Sequence, residues 1–140
     1  MKKLLSIGVV GYCPPTKFDE AEAVRMLAEA YDQIEEQFPD TPKMVVSGLT
    51  NVGVLKLAYE EAVRRGWRTK GVACKLAADH PLFPVDEQCI VGENWGDESQ
   101  EFLRDLDCMV RIGVGKQSLE ECQVISGRGL PTYEYDLPVL

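Results

Sequence analysis

The chain has 140 residues, with 45% apolar and 27% charged residues and a formal charge of −8 from 15 Lys+Arg against 23 Asp+Glu. This is the length and composition of one ordinary globular domain over 1–140, and it excludes a disordered or disulfide-stapled chain. The negative charge repels phosphate backbones and anionic lipids, so neither nucleic acid nor a membrane is an expected partner, although backbone N–H groups can still hold one small anion.

Met1-Lys2-Lys3-Leu4-Leu5 has the charged start of a secretory leader. The apolar stretch Leu4–Val10 is too short for one, however, contains Gly8 and runs into Pro14-Pro15 without a small-x-small cleavage pattern. Leu4–Tyr12 therefore reads as a central strand, apolar on both faces. From Asp19 to Phe38, Ala23, Met26, Leu27, Ala30, Tyr31, Ile34 and Phe38 recur every three or four positions, which predicts a long surface helix ended by Pro39. Met44–Val46 is the second strand; a second helix follows from Val52 to Arg65, with Gly66 at its C-terminal cap. Gly71–Cys74 is the third strand, and the long Pro-containing loop Lys75–Glu87 has the character of a lid. Cys89–Val91, a helix over Glu98–Leu106, Cys108–Ile112, a helix over Ser118–Ser126 and an edge strand within Leu130–Leu137 complete the chain. The expected fold is α/β, an open, mainly parallel Rossmann-like sheet of five to six strands with helices on both faces.

Five cysteines, Cys13, Cys74, Cys89, Cys108 and Cys122, are scattered without a CxxC pair, and His80 is the single histidine. Reduced thiols in a cytoplasmic protein are expected, with no metal site and no resident cofactor. Cys13 follows the first strand, but no base accompanies it in the sequence, so a thiol nucleophile is not favoured.

In open α/β sheets ligands bind beyond the carboxyl ends of the strands, so the turns after the strands carry the candidate chemistry. Gly11-Tyr12-Cys13-Pro14-Pro15-Thr16 lacks the GxGxxG of a dinucleotide fingerprint. In Ser47-Gly48-Leu49-Thr50-Asn51-Val52-Gly53 the glycines permit close approach of a phosphate to a helix start; alternatively, Thr50 or Asn51 caps that helix. Gly113-Val114-Gly115-Lys116-Gln117-Ser118 approaches a P-loop, but Gln117 stands where the magnesium-binding hydroxyl would be required. Ser118-x-x-Glu121 also reads as a capping box.

Ser47–Gly53, with Ala58, Ala62 and Gly66 on and after the next helix, resembles the S-G-G-x-x-G stretch of a Rossmann-like superfamily. That superfamily comprises the LOG-type phosphoribohydrolases (lysine decarboxylase-like proteins), the DNA-processing protein A fold and the SLOG nucleotide-sensor domains. Gly115–Glu121 is similar to its second motif, G-G-x-G-T-x-x-E; Val114 stands where the first Gly belongs, Gln117 replaces the Gly before Thr, and Ser118 replaces Thr. The resemblance implies a phosphate-bearing, nucleotide-like ligand contacted by Gly11, Thr16, Ser47, Gly48, Thr50, Asn51, Gly53, Gly113, Gly115, Lys116, Gln117 and Ser118. Tyr12, Asn94 and Trp95 are the candidate base or sugar contacts, Trp95 offering a flat face for stacking.

If the domain is an enzyme, the resemblance implies hydrolysis of the N-glycosidic bond of a nucleoside 5′-monophosphate, with Glu121, or its neighbour Glu120, as the catalytic carboxylate. The family's R-K-x-x-M segment is missing: Arg111 lies inside a strand, and Arg64, Arg65 and Arg68 lie at the other end of theirs. The leading expectation is accordingly a small binding or sensor domain, ahead of the hydrolase and of a non-catalytic protein-interaction module. Homo-oligomerisation through the outer helix faces is open to it.

Overall fold

The computed structural model describes residues 3–140; Met1 and Lys2, the first residues of the leader-like start and of the expected domain, lie outside them. Six strands form one sheet: β1 (Leu5–Gly11), β2 (Lys43–Ser47), β3 (Arg68–Ala73), β4 (Glu87–Ile90), β5 (Cys108–Ile112) and β6 (Thr132–Tyr135). The order is β4-β3-β2-β1-β5-β6, and every pairing is parallel. The sheet is thus wholly rather than mainly parallel, because each connection carries a helix or long loop back to the same end.

The helices are α1 (Glu20–Gln37), α2 (Gly53–Arg64), α3 (Ser99–Arg104) and α4 (Lys116–Gly127), with a short 3-10 turn over Lys75–Asp79. From β1 the chain moves outward through β2, β3 and β4, then crosses back to β5 on the other side of β1. With right-handed crossovers, α1 and α2 cover one face of the sheet and α3 and α4 the other. The strand order reverses between β1 and β5, and in open α/β sheets such a reversal leaves a crevice beyond the carboxyl ends of the strands.

Hydrophobic periodicity explains both layers. On the first face Ala23, Leu27, Ala30, Tyr31 and Ile34 of α1 and Val54, Ala58 and Ala62 of α2 are fully buried against Ile7, Val45, Cys108 and Val110. On the second, Met109 and Val46 meet Phe102, Leu103, Cys122 and Ile125. Each fully buried aliphatic side chain contributes about 1.5–3 kcal/mol, so these two layers dominate the stability. Asp19 caps α1, its carboxylate accepting the Glu22 N–H at 3.1 Å. β2 and β5 are buried throughout, whereas β4 at the sheet edge is largely exposed.

Two local expectations fail for tertiary reasons. α4 begins at Lys116, two residues before the expected start, and Ser118 and Glu121 form no capping box; the cap is Gly115, with no side-chain bond. The Glu121 carboxylate instead accepts from Ser99 Oγ at 3.2 Å, tying α4 to α3. Likewise Val52, not Thr50 or Asn51, occupies the N-cap of α2, again without a side-chain bond. Thr50 is drawn into a bridge with Leu82, and the Asn51 N–H donates to Pro81 O.

Three of the five cysteines are buried and all five are free. Among the described residues no helix is long and apolar enough to cross a membrane.

One side chain fastens the crevice. Tyr12, just after β1, donates its hydroxyl proton to Leu137 O at 2.8 Å and accepts the Val114 N–H at 2.9 Å. Its carbonyl accepts the Val54 N–H at 2.9 Å. Gly113 makes room for the ring: at φ 105°, a Cβ there would lie 2.5 Å from the Tyr12 ring. Tyr12→Phe should cost about 1–3 kcal/mol in urea unfolding, since it strips partners from two backbone groups while keeping the ring. Gly113→Ala should cost at least as much, adding the ~1–3 kcal/mol of a strained left-handed backbone to the steric clash.

Candidate functional site

The ends of β1, β2 and β3, with the start of α4 that follows β5, do leave a crevice at this edge of the sheet. It is a cleft of about 380 Å³, within the range of roughly 300–1,000 Å³ usual for small-molecule sites. Gly11, Tyr12, Cys13 and Thr16 come to it from the turn after β1; Ser47, Gly48, Leu49 and Thr50 come from the turn after β2. The start of α4 supplies Gly115, Lys116, Gln117, Ser118 and Glu121, and Trp95, Glu98 and Phe102 close the side toward α3. Val9, Val10, Val72, Ala73 and Leu55 make an apolar floor and wall.

Most of the expected residues therefore meet in one place, but not all in the expected capacity. Asn51, Gly53, Gly113 and Asn94 are not in the cleft lining. At Gly53 a Cβ would sit 2.3 Å from Tyr12 O, so this glycine serves the close approach of α2 to the β1 turn. Gly113 accommodates the Tyr12 ring, and Asn94 is exposed in a turn where its N–H donates to Asp97. Ser47 is buried and donates to Val9 O at 2.7 Å, which leaves its hydroxyl proton inside the sheet. Tyr12 is a wall whose hydroxyl is already engaged, not a free base or sugar contact.

The two helix starts at the crevice differ. At α2, the Val54 N–H is taken by Tyr12 O and the Asn51 N–H in the preceding turn by Pro81 O. At α4 no side chain caps the helix, and Lys116, Gln117 and Ser118 in its first turn face the cleft. First-turn N–H groups have no intrahelical acceptor, and with the helix dipole they favour an anion. Among the described residues Lys116 is the sole cationic side chain of the lining, and no arginine reaches the cleft. Arg111 is buried and held by Asp136, Glu134 and Gly113 O, while Arg65 is bound to Glu61, Asp32 and Glu35 below the opposite end of the sheet.

Glu121 is the electrostatic outlier. Burial, reinforced by Glu98 and Glu120 and opposed by the Ser99 and Gln117 hydrogen bonds, raises its pKa to about 7. A carboxyl so tuned can hold or release a proton near neutrality. The Cys13 thiol is raised by burial, which keeps it protonated and a poor nucleophile. No group of three or more His, Cys, Asp or Glu placed to hold a metal ion occurs among the described residues.

The loop 75–87, expected as a lid, contributes nothing to the lining. Phe83 is buried against Tyr59, with ring centroids 5.0 Å apart, and its N–H donates to Leu49 O, so the loop braces the β2 turn from outside. Trp95, from the next loop, takes the rim position, 54% exposed and with the His80 ring tilted against it, centroids 5.8 Å apart. Glu98 and Phe102 escaped the sequence reading. The rule that ligands gather beyond strand ends pointed to the segment after β4, but not to the first turn of the short helix that follows it.

No family model and no curated protein sequence matches the chain. Solved structures do. The molybdenum cofactor carrier protein of Chlamydomonas reinhardtii superposes with a TM-score of 0.71 at 20% identity, over 93% of this chain and 75% of that one. A second structure of the Moco carrier protein from that organism gives 0.69 at 22% identity, covering 95% and 76%. TM1055, a structural-genomics target, gives 0.68 at 21% identity, covering 91% and 72%. These likenesses show that the chain shares their overall fold, an open α/β sheet of Rossmann type.

Glu121 makes a signed prediction. A carboxyl whose pKa is higher in the folded than in the unfolded chain binds the extra proton in the folded state. Stability should therefore fall as pH rises from about 4.5 to about 7. Glu121→Gln keeps an acceptor for Ser99 and removes this dependence; urea midpoints should show it more stable by about 1–2 kcal/mol at pH 8, after allowance for its partial exposure, and unchanged at pH 4.

Proposed function

We propose that the domain binds a small phosphate-bearing, nucleotide-like ligand in the β1/β5 crevice. The observation that carries this reading is the uncapped first turn of α4, with Lys116 beside it, opening into a 380 Å³ cleft at the reversal of strand order. The phosphate would rest on the N–H groups of Lys116, Gln117 and Ser118. Thr16 and Thr50 offer hydroxyls, Gly115 leaves room for the ligand to come close to the backbone, and Trp95 at the rim presents a ring face for a planar base. The role is holding rather than turnover: a protein of the same fold is named for carrying a cofactor, and the cleft here lacks an arginine to work beside the carboxylate.

Glu121 favours a second reading. A cleft carboxyl with a pKa of about 7 could act as the acid or base in cleaving the N-glycosidic bond of a nucleoside 5′-monophosphate.

Titrating the full chain with adenosine and guanosine 5′-monophosphates tests both. Binding should alter the fluorescence of Trp95, vanish from the signal in Trp95→Phe, and weaken by about tenfold or more in Lys116→Glu, which reverses the charge at the helix start. At a hundredfold excess over Kd the ligand should add about 2.7 kcal/mol to stability. No thermal shift with any nucleoside phosphate would refute the binding reading and leave the protein-interaction module. Release of free base, lost in Glu121→Gln, would replace holding by hydrolysis.

A further inference from the structure

A second recess, of about 500 Å³, opens between α3 and α4 beside the cleft. Lys116, Gln117 and Glu121 line both, so the first two turns of α4 form the wall they share. The compartments differ in chemistry. The cleft has the helix start and an apolar floor; the recess has Leu103 and the exposed Val124 as its apolar part, with Ser99 and Glu120 around them. Beyond Lys116 on the shared wall, no cationic side chain among the described residues lines the recess. A second anion placed there would meet Glu120 and Glu121, whereas an uncharged group carrying hydroxyl or amino donors would find acceptors.

We infer that the ligand has two uncharged halves joined through phosphate: one half in the β1/β5 cleft, the linkage at the start of α4, and the second half in the recess between α3 and α4. The chemical class is a phosphodiester- or pyrophosphate-linked two-part molecule, such as a dinucleotide, rather than a mononucleotide. This rests on the reading of the cleft as a phosphate-ligand site and extends it to the residues Ser99, Leu103, Glu120 and Val124. Joining the halves makes the loss of translational and rotational freedom fall once rather than twice, so affinity gained in the recess adds directly to that of the cleft.

Isothermal titration of the full chain with adenosine 5′-monophosphate and with two adenosines joined 5′ to 5′ through pyrophosphate tests it. The two-part ligand should bind about tenfold or more tightly than the mononucleotide. Val124→Trp, on an exposed face of α4 and filling the recess, should erase that advantage and leave mononucleotide binding unchanged. Glu120→Trp fills the same recess from the adjacent position and serves should the first variant lose stability. Equal affinities for the two ligands in the unmodified chain, or an advantage that survives a folded recess-filling variant, overturn the two-compartment inference while leaving the cleft as a mononucleotide site. Failure of both ligands to bind overturns the reading of the cleft and this inference with it.

Discussion

The geometry of the crevice depends on Tyr12. A phenol can donate one hydrogen bond and accept others, and here both capacities are used: toward Leu137 O in the C-terminal segment and from the Val114 N–H ahead of α4. The same residue's backbone carbonyl holds the Val54 N–H in the first turn of α2. Three segments far apart in sequence thus converge on one buried residue, two on its side chain and one on its backbone, placed where the strand order reverses. Unpaired polar groups in such a place would be costly, so satisfying them through one ring both stabilises and orients the turns. Gly53 and Gly113 are the steric counterpart, removing side-chain volume where Tyr12 must be approached.

This fastening also divides the two helix starts into different tasks. That of α2 is drawn into the fold by Tyr12, and the preceding turn by Pro81; that of α4 is left without a side-chain cap and facing the cleft. An acidic protein can keep an anion site on these terms. The net charge of −8 belongs to the whole molecule, and much of it lies on the outward face of α1, where Glu22 and Glu29 pair with Arg25. Exposed charges more than about 8–10 Å away are screened at physiological salt, whereas oriented N–H groups at contact distance are not. The cleft itself presents one lysine, one helix start and two carboxylates, Glu98 and Glu121, of which the second holds its proton up to about pH 7.

How much of this could be read from the chain varies with the range of the cause. The stripe Ala23, Met26, Leu27, Ala30, Tyr31 and Ile34 foretold α1 and its buried face, because helix periodicity is a property of neighbouring residues. The strands were legible as apolar runs, and the turns after β1, β2 and β5 as Gly-rich and polar. Ser118 and Glu121 show where that legibility stops. Their spacing suits a capping box, yet Glu121 is drawn across to Ser99 on α3, a partner 22 positions away that no local pattern reveals. The loop 75–87 is similar: its length suggested a lid, and Phe83 against Tyr59 makes it a brace.

The amino-acid sequence by itself determined the element types, the parallel sheet and the end of that sheet where a ligand could be met. Those follow from hydrophobic period, glycine and proline placement, and the handedness of β-α-β connections, all of short range. Only the tertiary structure decided which glycines line the cleft and which make room for Tyr12, and which helix start stays open. It also decided that Glu98, Trp95 and Phe102 close the cleft on its α3 side. These outcomes depend on the crossover from β4 to β5, which brings distant segments within hydrogen-bonding distance and sets the burial on which the proton affinity of Glu121 depends.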